Sequence, residues 1–410
     1  MNRKDALALD HKDPFAEKRK LFHLPKGKIY LDGNSLGVLP KAAVARVKHA
    51  VEVEWGRDLI DSWNKHKWWH LPLIVGDKIA KVIGAAPGSV VATDTISVNL
   101  FKVLTAAVAK TRGRKLILSD NGNFPSDLYV AQGLTQFMND GHTLKVVESE
   151  QVFDAITEDV GVVMVTEVDY RTARRHDMKA ITARAHEMGC LVIWDLAHSA
   201  GAVPGRLMEV DADLAIGCTY KYLNGGPGSP GFVFVHPRLQ KDVMPALVGW
   251  WGHAKPFAFD EAFVPAEGIM RFQVGTQPML NMVALDAAMD AYKGVSMEKL
   301  YAKGKKQCAM FADLAEARCG KFGITLSGSR NWNERGSHVC LAHDQAYAVM
   351  QALIARGVVG DFRAPNLMRF GFTPMYVSFA DVYDAVEHLH EVLEKKLWNR
   401  KKFLAKKAVT

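Results

Sequence analysis

The sequence predicts an α/β protein: a large domain on a mainly parallel sheet, followed by a smaller α+β domain. Three observations predict it. Short apolar runs recur through the middle third with helix-period stretches between them. One of those runs ends in a lone carboxylate, Asp195. A lysine flanked by tyrosines, Lys221, stands just before a glycine-rich turn, Asn224-Gly225-Gly226-Pro227-Gly228, which cannot continue a helix.

Taken in order, the first forty residues carry turn chemistry: Asp32-Gly33-Asn34-Ser35-Leu36-Gly37, then Pro40. Residues 116–118, 144–147, 162–165 and 191–194 read as buried strands, with helices over 127–137 and 178–188 between them. Residues 212–217 and 231–235 read as further strands. They bracket Lys221 so closely that at least one antiparallel pairing is expected. A helix over 279–293 begins after Pro278 and connects to a second domain. The expected division is an N-terminal segment, 1–45, packing with the small domain; a large cofactor-binding domain, 46–282; and a connecting helix with the small domain and a basic tail, 283–410.

Bulk composition excludes several classes. With 410 residues, 49% hydrophobic and 23% charged, the chain suits a globular protein with a large core. No apolar run reaches 18 residues and the N-terminus is charged, so the expectation is a cytoplasmic protein with no membrane partner. Five cysteines, at 190, 218, 308, 319 and 340, form no CxxC pair. They predict buried thiols rather than disulfides, and no metal site is expected. The net charge of +8 is concentrated in residues 395–410, which hold seven basic residues (Lys395, Lys396, Arg400, Lys401, Lys402, Lys406, Lys407) and no acid. The rest of the chain is near neutral and has no aromatic-interleaved basic motif, so nucleic acid is not an expected partner.

The chemistry-bearing residues cluster around two points. Asp195 falls where a parallel strand ends, the edge at which open α/β sheets bind ligands. A carboxylate there can hold a pyridine nitrogen protonated, and an amine such as Lys221 can form a Schiff base, which together suggest pyridoxal 5'-phosphate. The bland alternatives are a strand-end Asp that starts a turn and a surface lysine. His198, three residues after Asp195, suits a place beside a cofactor ring or a satisfied turn. Candidates for phosphate recognition are Thr95, Ser97, Tyr220, Trp250 and Thr276. Ser97 would open a helix from Val98, whose N-terminus attracts anions. Phe124-Pro125-Ser126-Asp127 offers an aromatic ring and a carboxylate after a strand, or simply a helix cap.

Several segments together resemble the kynureninase family: 30–37 (Tyr30-Leu31-Asp32-Gly33-Asn34-Ser35-Leu36-Gly37), Ser62-Trp63-Asn64, 93–100, Asn123-Phe124-Pro125-Ser126-Asp127, Asp195-Leu196-Ala197-His198, 220–226 and Leu247-Val248-Gly249-Trp250-Trp251-Gly252-His253. The resemblance spans nearly the whole chain. It implies the fold-type I transferase fold of pyridoxal phosphate enzymes and hydrolysis of L-kynurenine to anthranilate and L-alanine, in tryptophan catabolism or NAD synthesis. It also implies Lys221 as the Schiff-base and proton-transfer residue, Asp195 at the pyridine nitrogen, His198 near the cofactor, and Phe124 stacked on its ring with Asp127 beside it. Ile96, Ser97, Thr166, Tyr220, Trp250 and Thr276 would line the cofactor site. Tyr220 is also the candidate for shuttling protons at the carbonyl being hydrolysed. Arg369 would pair with the substrate α-carboxylate through its planar fork; without the resemblance it would pass for a strand-end surface residue. Gly275-Thr276 resembles the bacterial form, which implies plain kynurenine as substrate, with 3-hydroxykynurenine as a second one, and Trp63 would shape the aromatic end of the pocket. A homodimer with sites built from both subunits is implied as well. The rivals are a cysteine desulfurase or aminotransferase on the same fold, with Cys340 the only seat for a nucleophilic thiol, and a non-catalytic basic binding protein.

Overall fold

The computed structural model of the protein describes residues 1–111 and 113–405. The chain opens with a two-residue strand, β1 (Ile29–Tyr30). It then builds a seven-stranded sheet from β2 (Val90–Thr93), β3 (Leu116–Asp120), β4 (Thr143–Val147), β5 (Val160–Thr166), β6 (Leu191–Asp195), β7 (Leu214–Gly217) and β8 (Gly231–Val235). Their spatial order is β2-β8-β7-β6-β5-β3-β4. The β3–β7 strands pair in parallel, and β8 runs antiparallel to both of its neighbours, β7 and β2.

Continuous apolar runs make these strands because both faces of the sheet are covered. Side chains alternate between two cores with the two-residue period of a strand. Val192 and Trp194 of β6 point into one core and Ile193 into the other; Phe232 and Phe234 of β8 oppose Val233 and Val235 in the same way. Each large side chain so buried contributes about 1.5–3 kcal/mol, and a one-residue slip in register would exchange the two sets. The helix Ile96–Lys110 covers one face, placing Leu100, Val103 and Leu104 in the core with Ile193 and Val233.

A second sheet follows: β9 (Thr325–Ser327), β10 (His338–Ala342), β12 (Asp361–Arg363) and β13 (Leu367–Gly371), antiparallel in the order β12-β13-β10-β9. Between them β11 (Val358–Val359) pairs in parallel with β1. The N-terminal segment thereby ties the two sheets together. The Leu31 amide donates to Val359 O and the Gly371 amide to Leu31 O, both at 2.7 Å, and the Gly37 amide donates to Tyr220 O, also at 2.7 Å.

Several expectations need correction. The strand 90–93 was not foreseen. The strand 144–147, expected buried, is β4, a largely exposed edge. The expected strand 212–217 starts at Leu214, because the buried Asp213 carboxylate accepts from the Val192 amide at 2.8 Å and pairs with Arg238. The helix after Pro278 ends at Met289 in a short 3₁₀ turn, Asp290–Tyr292. Ser97 does not open its helix: Thr95 is the cap and Ile96 the first helical residue. Arg369 is an interior residue of β13 and 1% exposed. All five cysteines are buried and free. Among the described residues no helix is long and apolar enough to cross a membrane. Of the basic tail, Lys406 and Lys407 lie outside the described residues.

Gly37 is required for its lack of a side chain. A Cβ there would lie 2.3 Å from Lys221 O and 2.7 Å from Asn224 Cα. Backbone cannot yield as a side chain does, so Gly37→Ala is expected to destabilise the fold by about 1–3 kcal/mol. Thermal melting of the variant against the parent checks this; an unchanged midpoint contradicts it.

Candidate active site

The C-terminal ends of the parallel strands converge on one edge of the large sheet. Thr166 closes β5 and is registered against Asp195, the last residue of β6, which is registered against Ile216 of β7. A cavity of about 310 Å³ opens there, and Lys221, Asp195, Asp127, His198, Tyr220, Phe124, Ile96, Ser97 and Arg369 line it. The turn after β7 delivers Lys221, held by the Gly225 amide donating to Thr219 O and the Asn224 amide to Lys221 O, both at 2.9 Å. The Lys221 ammonium lies 3.2 Å from His198 Nε2 and 5.8 Å from the centroids of both the Phe124 and Tyr220 rings.

The electrostatics of the floor are unusual. Asp195 and Asp127 are both buried. Burial raises the Asp195 carboxyl above its ordinary range, opposed by the Lys221 charge and by the Ala197 amide, which donates to Oδ1 at 2.8 Å. Burial, and then the charge of Asp195, push Asp127 well above its ordinary range, again opposed by Lys221. Asp127 Oδ2 is buried without a hydrogen-bond partner, an arrangement that is costly until a donor or cation meets it. His198 is pushed well below the ordinary imidazole range, first by burial and then by Lys221 and Arg369, so it is neutral. Burial, and then Cys218, raise the Tyr220 hydroxyl, keeping its proton in place at neutral pH.

Two buried carboxylates facing one lysine, one with a bare oxygen, fit a protonated heterocycle such as the pyridine of pyridoxal phosphate. The phosphate end fits the helix Ile96–Lys110, whose first amides lack intrahelical partners. Its cap is closed by the Val98 amide on Thr95 Oγ1 at 3.4 Å. Thr166 stands just behind this floor, its hydroxyl 3.3 Å from Asp195 O.

Arg369 reaches the cavity from the small sheet. Its guanidinium donates through Nε to Asp361 Oδ1 at 2.9 Å, through Nη1 to Tyr170 O at 2.8 Å and through Nη2 to Ser35 Oγ at 2.9 Å, and Nη2 also bonds Asp361 Oδ2. Asp361 and Arg369 are cross-strand partners. Arg363, two residues along the same face of β12, is a second cation on the cavity that the sequence reading missed, as it missed Ser35 and Asn34. The signal was present: Asp361 and Arg363 alternate with Phe362 on a short strand, which places both charges on one face.

The cavity of a single chain does not gather the remaining candidates. Trp63 lies in an aromatic cluster, its ring centroid 5.4 Å from that of Trp251 and 6.0 Å from Trp68. Trp250 belongs to the same cluster, 5.6 Å from Trp69, and is 39% exposed. Thr276 is exposed and Gly275 half-buried. A Cβ on Gly275 would meet open space.

A family model described as kynureninase C-terminal domain matches residues 300–389. The kynureninase of Pseudomonas fluorescens is 49% identical over 413 residues, covering 100% of this chain and 99% of the relative. Among solved structures, a cysteine desulfurase from Thermococcus onnurineus NA1 superposes with a TM-score of 0.77 at 18% identity, covering 93% of this chain and 98% of that one. A C-DES mutant with glycine covalently linked to its PLP cofactor superposes with a TM-score of 0.79 at 16% identity, covering 91% of this chain and 99% of that one. These two share the fold: a largely parallel α/β sheet of the fold-type I class.

Asp32, behind Arg369, gives a test of the site's electrostatics. Burial, and then the charge of Asp361, push its carboxyl from 3.8 up to about 7. The folded chain therefore holds this proton more tightly than the unfolded chain, and its contribution to stability is lost as pH rises through that interval. Asp32→Asn removes the dependence, on the order of 4 kcal/mol. Melting curves from pH 4 to 8 should fall less steeply for the variant than for the parent; parallel curves contradict the assignment.

Proposed function

The chain belongs to the kynureninase family, and from that premise we propose that it hydrolyses L-kynurenine to anthranilate and L-alanine with pyridoxal 5'-phosphate. The observation that carries the reading is the meeting of Lys221, Asp195, Asp127 and His198 with Arg369 around one cavity. Pyridoxal phosphate, when bound, supplies an aldehyde for amines and a ring that accepts electrons. Asp195 would hold the ring nitrogen, Phe124 would lie on the ring, and Ser97, with the amides that open its helix, would take the phosphate. Arg369, with Arg363 beside it, binds the substrate α-carboxylate. Lys221, as the neutral amine, would take up the α-proton at Nζ and become the ammonium, and the neutral His198 next to it adds no competing charge. Tyr220 keeps its hydroxyl proton and can deliver it near the carbonyl that water attacks.

Cys340 argues against the desulfurase rival. It is buried in β10 between two strands, and burial pushes its thiol up to about 12, the opposite of an exposed nucleophilic thiolate. The three-part division at 45 and 282 rests on the two separate sheets and on the N-terminal segment that pairs with the second. The reading is tested by incubating the protein, loaded with pyridoxal phosphate, with L-kynurenine. Fluorescent anthranilate should appear, Lys221→Ala should abolish it, and borohydride should fix the cofactor on Lys221. No anthranilate from a cofactor-loaded protein overturns it.

The same reading includes a homodimer. Trp250 and Thr276 are cofactor residues by resemblance yet sit outside this chain's cavity, beside an aromatic surface where Phe257 is 67% and Phe259 79% exposed. A second copy would carry them to its neighbour's site and cover those rings. In that arrangement a Lys221→Ala chain and a Thr276→Ala chain form one intact site when paired. Mixing the two variants after partial dissociation should restore activity above the sum of the separate proteins; strict additivity contradicts shared sites.

A further inference from the structure

We propose a second, unassigned site: His49, Glu54 and His66 form a three-ligand site for zinc or a similar divalent transition metal. The helix Lys41–His49 runs into a π-helical turn, Ala50–Trp55. On an α-helix residues five apart point about 140° away from each other. The i→i+5 winding brings them together, and here the Gly56 amide donates to Val51 O at 2.8 Å and the Asp58 amide to Val53 O at 2.9 Å. His49 Nε2 therefore comes to 3.7 Å from Glu54 Oε1. The short helix Ser62–Lys65 ends at His66, whose Nδ1 lies 3.9 Å from the same oxygen. The three ligand atoms all lie within 4.8 Å of one another.

These separations are too long for hydrogen bonds and close to a ligand set. Metal bonds of about 2.0–2.1 Å place tetrahedral ligands about 3.3–3.4 Å apart, so each histidine must close on Glu54 by about half an ångström, and the two imidazoles, no more than 4.8 Å apart, on each other by up to about 1.4 Å. His66 is also oriented as a ligand. Its Nε2 is 2.7 Å from Asp58 Oδ2. Asp58 is kept ionised by Arg57 at 3.0 Å and Lys65 at 2.9 Å, so the His66 proton sits on Nε2 and the Nδ1 lone pair faces Glu54. A carboxylate on the far nitrogen is the usual support of a metal-bound histidine. Glu54 is 2% exposed and anchored by Arg46 Nη1 at 2.5 Å on Oε1 and Trp68 Nε1 at 2.7 Å on Oε2, which leaves Oε1 a second lone pair. His49 is 51% exposed in its side chain, which gives the ion a way in and leaves an open fourth position. Imidazoles with one carboxylate suit zinc, nickel or cobalt, not the all-oxygen preference of calcium or magnesium. The expectation of no metal rested on cysteine spacing, and no thiol takes part here.

The test is titration of zinc chloride into the cofactor-loaded enzyme, freed of excess cofactor and passed through chelator. One zinc per chain is expected. His49→Ala, at a half-exposed position that leaves the fold intact, and His66→Ala should each weaken binding at least tenfold, and Asp58→Asn about tenfold through loss of support. Cobalt in place of zinc should give tetrahedral visible bands that His49→Ala removes. No uptake by the parent, or uptake of equal strength in His49→Ala, overturns the proposal.

Discussion

Two carboxylates, Asp127 and Asp195, are buried within the field of one lysine, and most of the architecture serves to hold them there. Neither acid is comfortable in that position: burial raises both, and Asp195 further raises Asp127. The sheet supplies the rigidity. Asp195 is fixed by ladder partners on each side, and Asp127 by the first turn of the helix Pro125–Met138. Such buried charges select for a cationic partner, and Lys221 is only part of one. Asp127 Oδ2 is left without a partner, so a donor or cation entering the cavity would relieve the cost of burying this pair.

The Arg369 end of the cavity obeys a different constraint. Arg369 sits on the small sheet and Lys221 on the large one, so their separation depends on how the two sheets are joined. Residues 29–37 make that joint. They lend a strand to β11, accept from Gly371, donate to Tyr220 next to Lys221, and bring Ser35 onto the Arg369 guanidinium. Asp361 fixes the same guanidinium in the plane of its fork. Removing one partner of so buried a pair generally costs about 3–5 kcal/mol, which makes Asp361 a positioning residue whatever carboxylate arrives opposite it.

The parallel strands were legible because both faces of the sheet are buried, which leaves uninterrupted apolar runs such as 162–165 and 191–194. The antiparallel turn around Lys221 was legible because two such runs lie too close for a crossover helix. The edge strands were not. Val90–Thr93 is a four-residue run next to polar turns, and Thr143–Val147 looks buried by composition while its position at the end of the sheet exposes it. Asp195 and Lys221 stood out through local context, whereas the meeting of Arg369 with Asp361 depends on pairing between strands, which no single segment displays. The role of Arg369 came from resemblance alone. The π turn at 50–55 was equally hidden, since the alternation Val51-Glu52-Val53-Glu54-Trp55 reads as a strand and not as a wound turn.

The aromatic cluster carries the argument one step further. Trp69 stacks on Trp251 with centroids 4.9 Å apart, Trp63 meets the edge of Trp251, and Trp250 and Phe257 extend the group to the surface. Trp251 is fully buried, Trp63 and Trp69 are half-buried, and Trp250 and Phe257 are exposed. A core would bury all of these rings, and an isolated surface residue would not recruit so many. A wall of indoles that is dry on one side and open on the other is the composition of an interface core, where aromatic residues concentrate. Trp63 and Trp250 share that wall through Trp69 and Trp251, so covering it would fix the positions of both rings together.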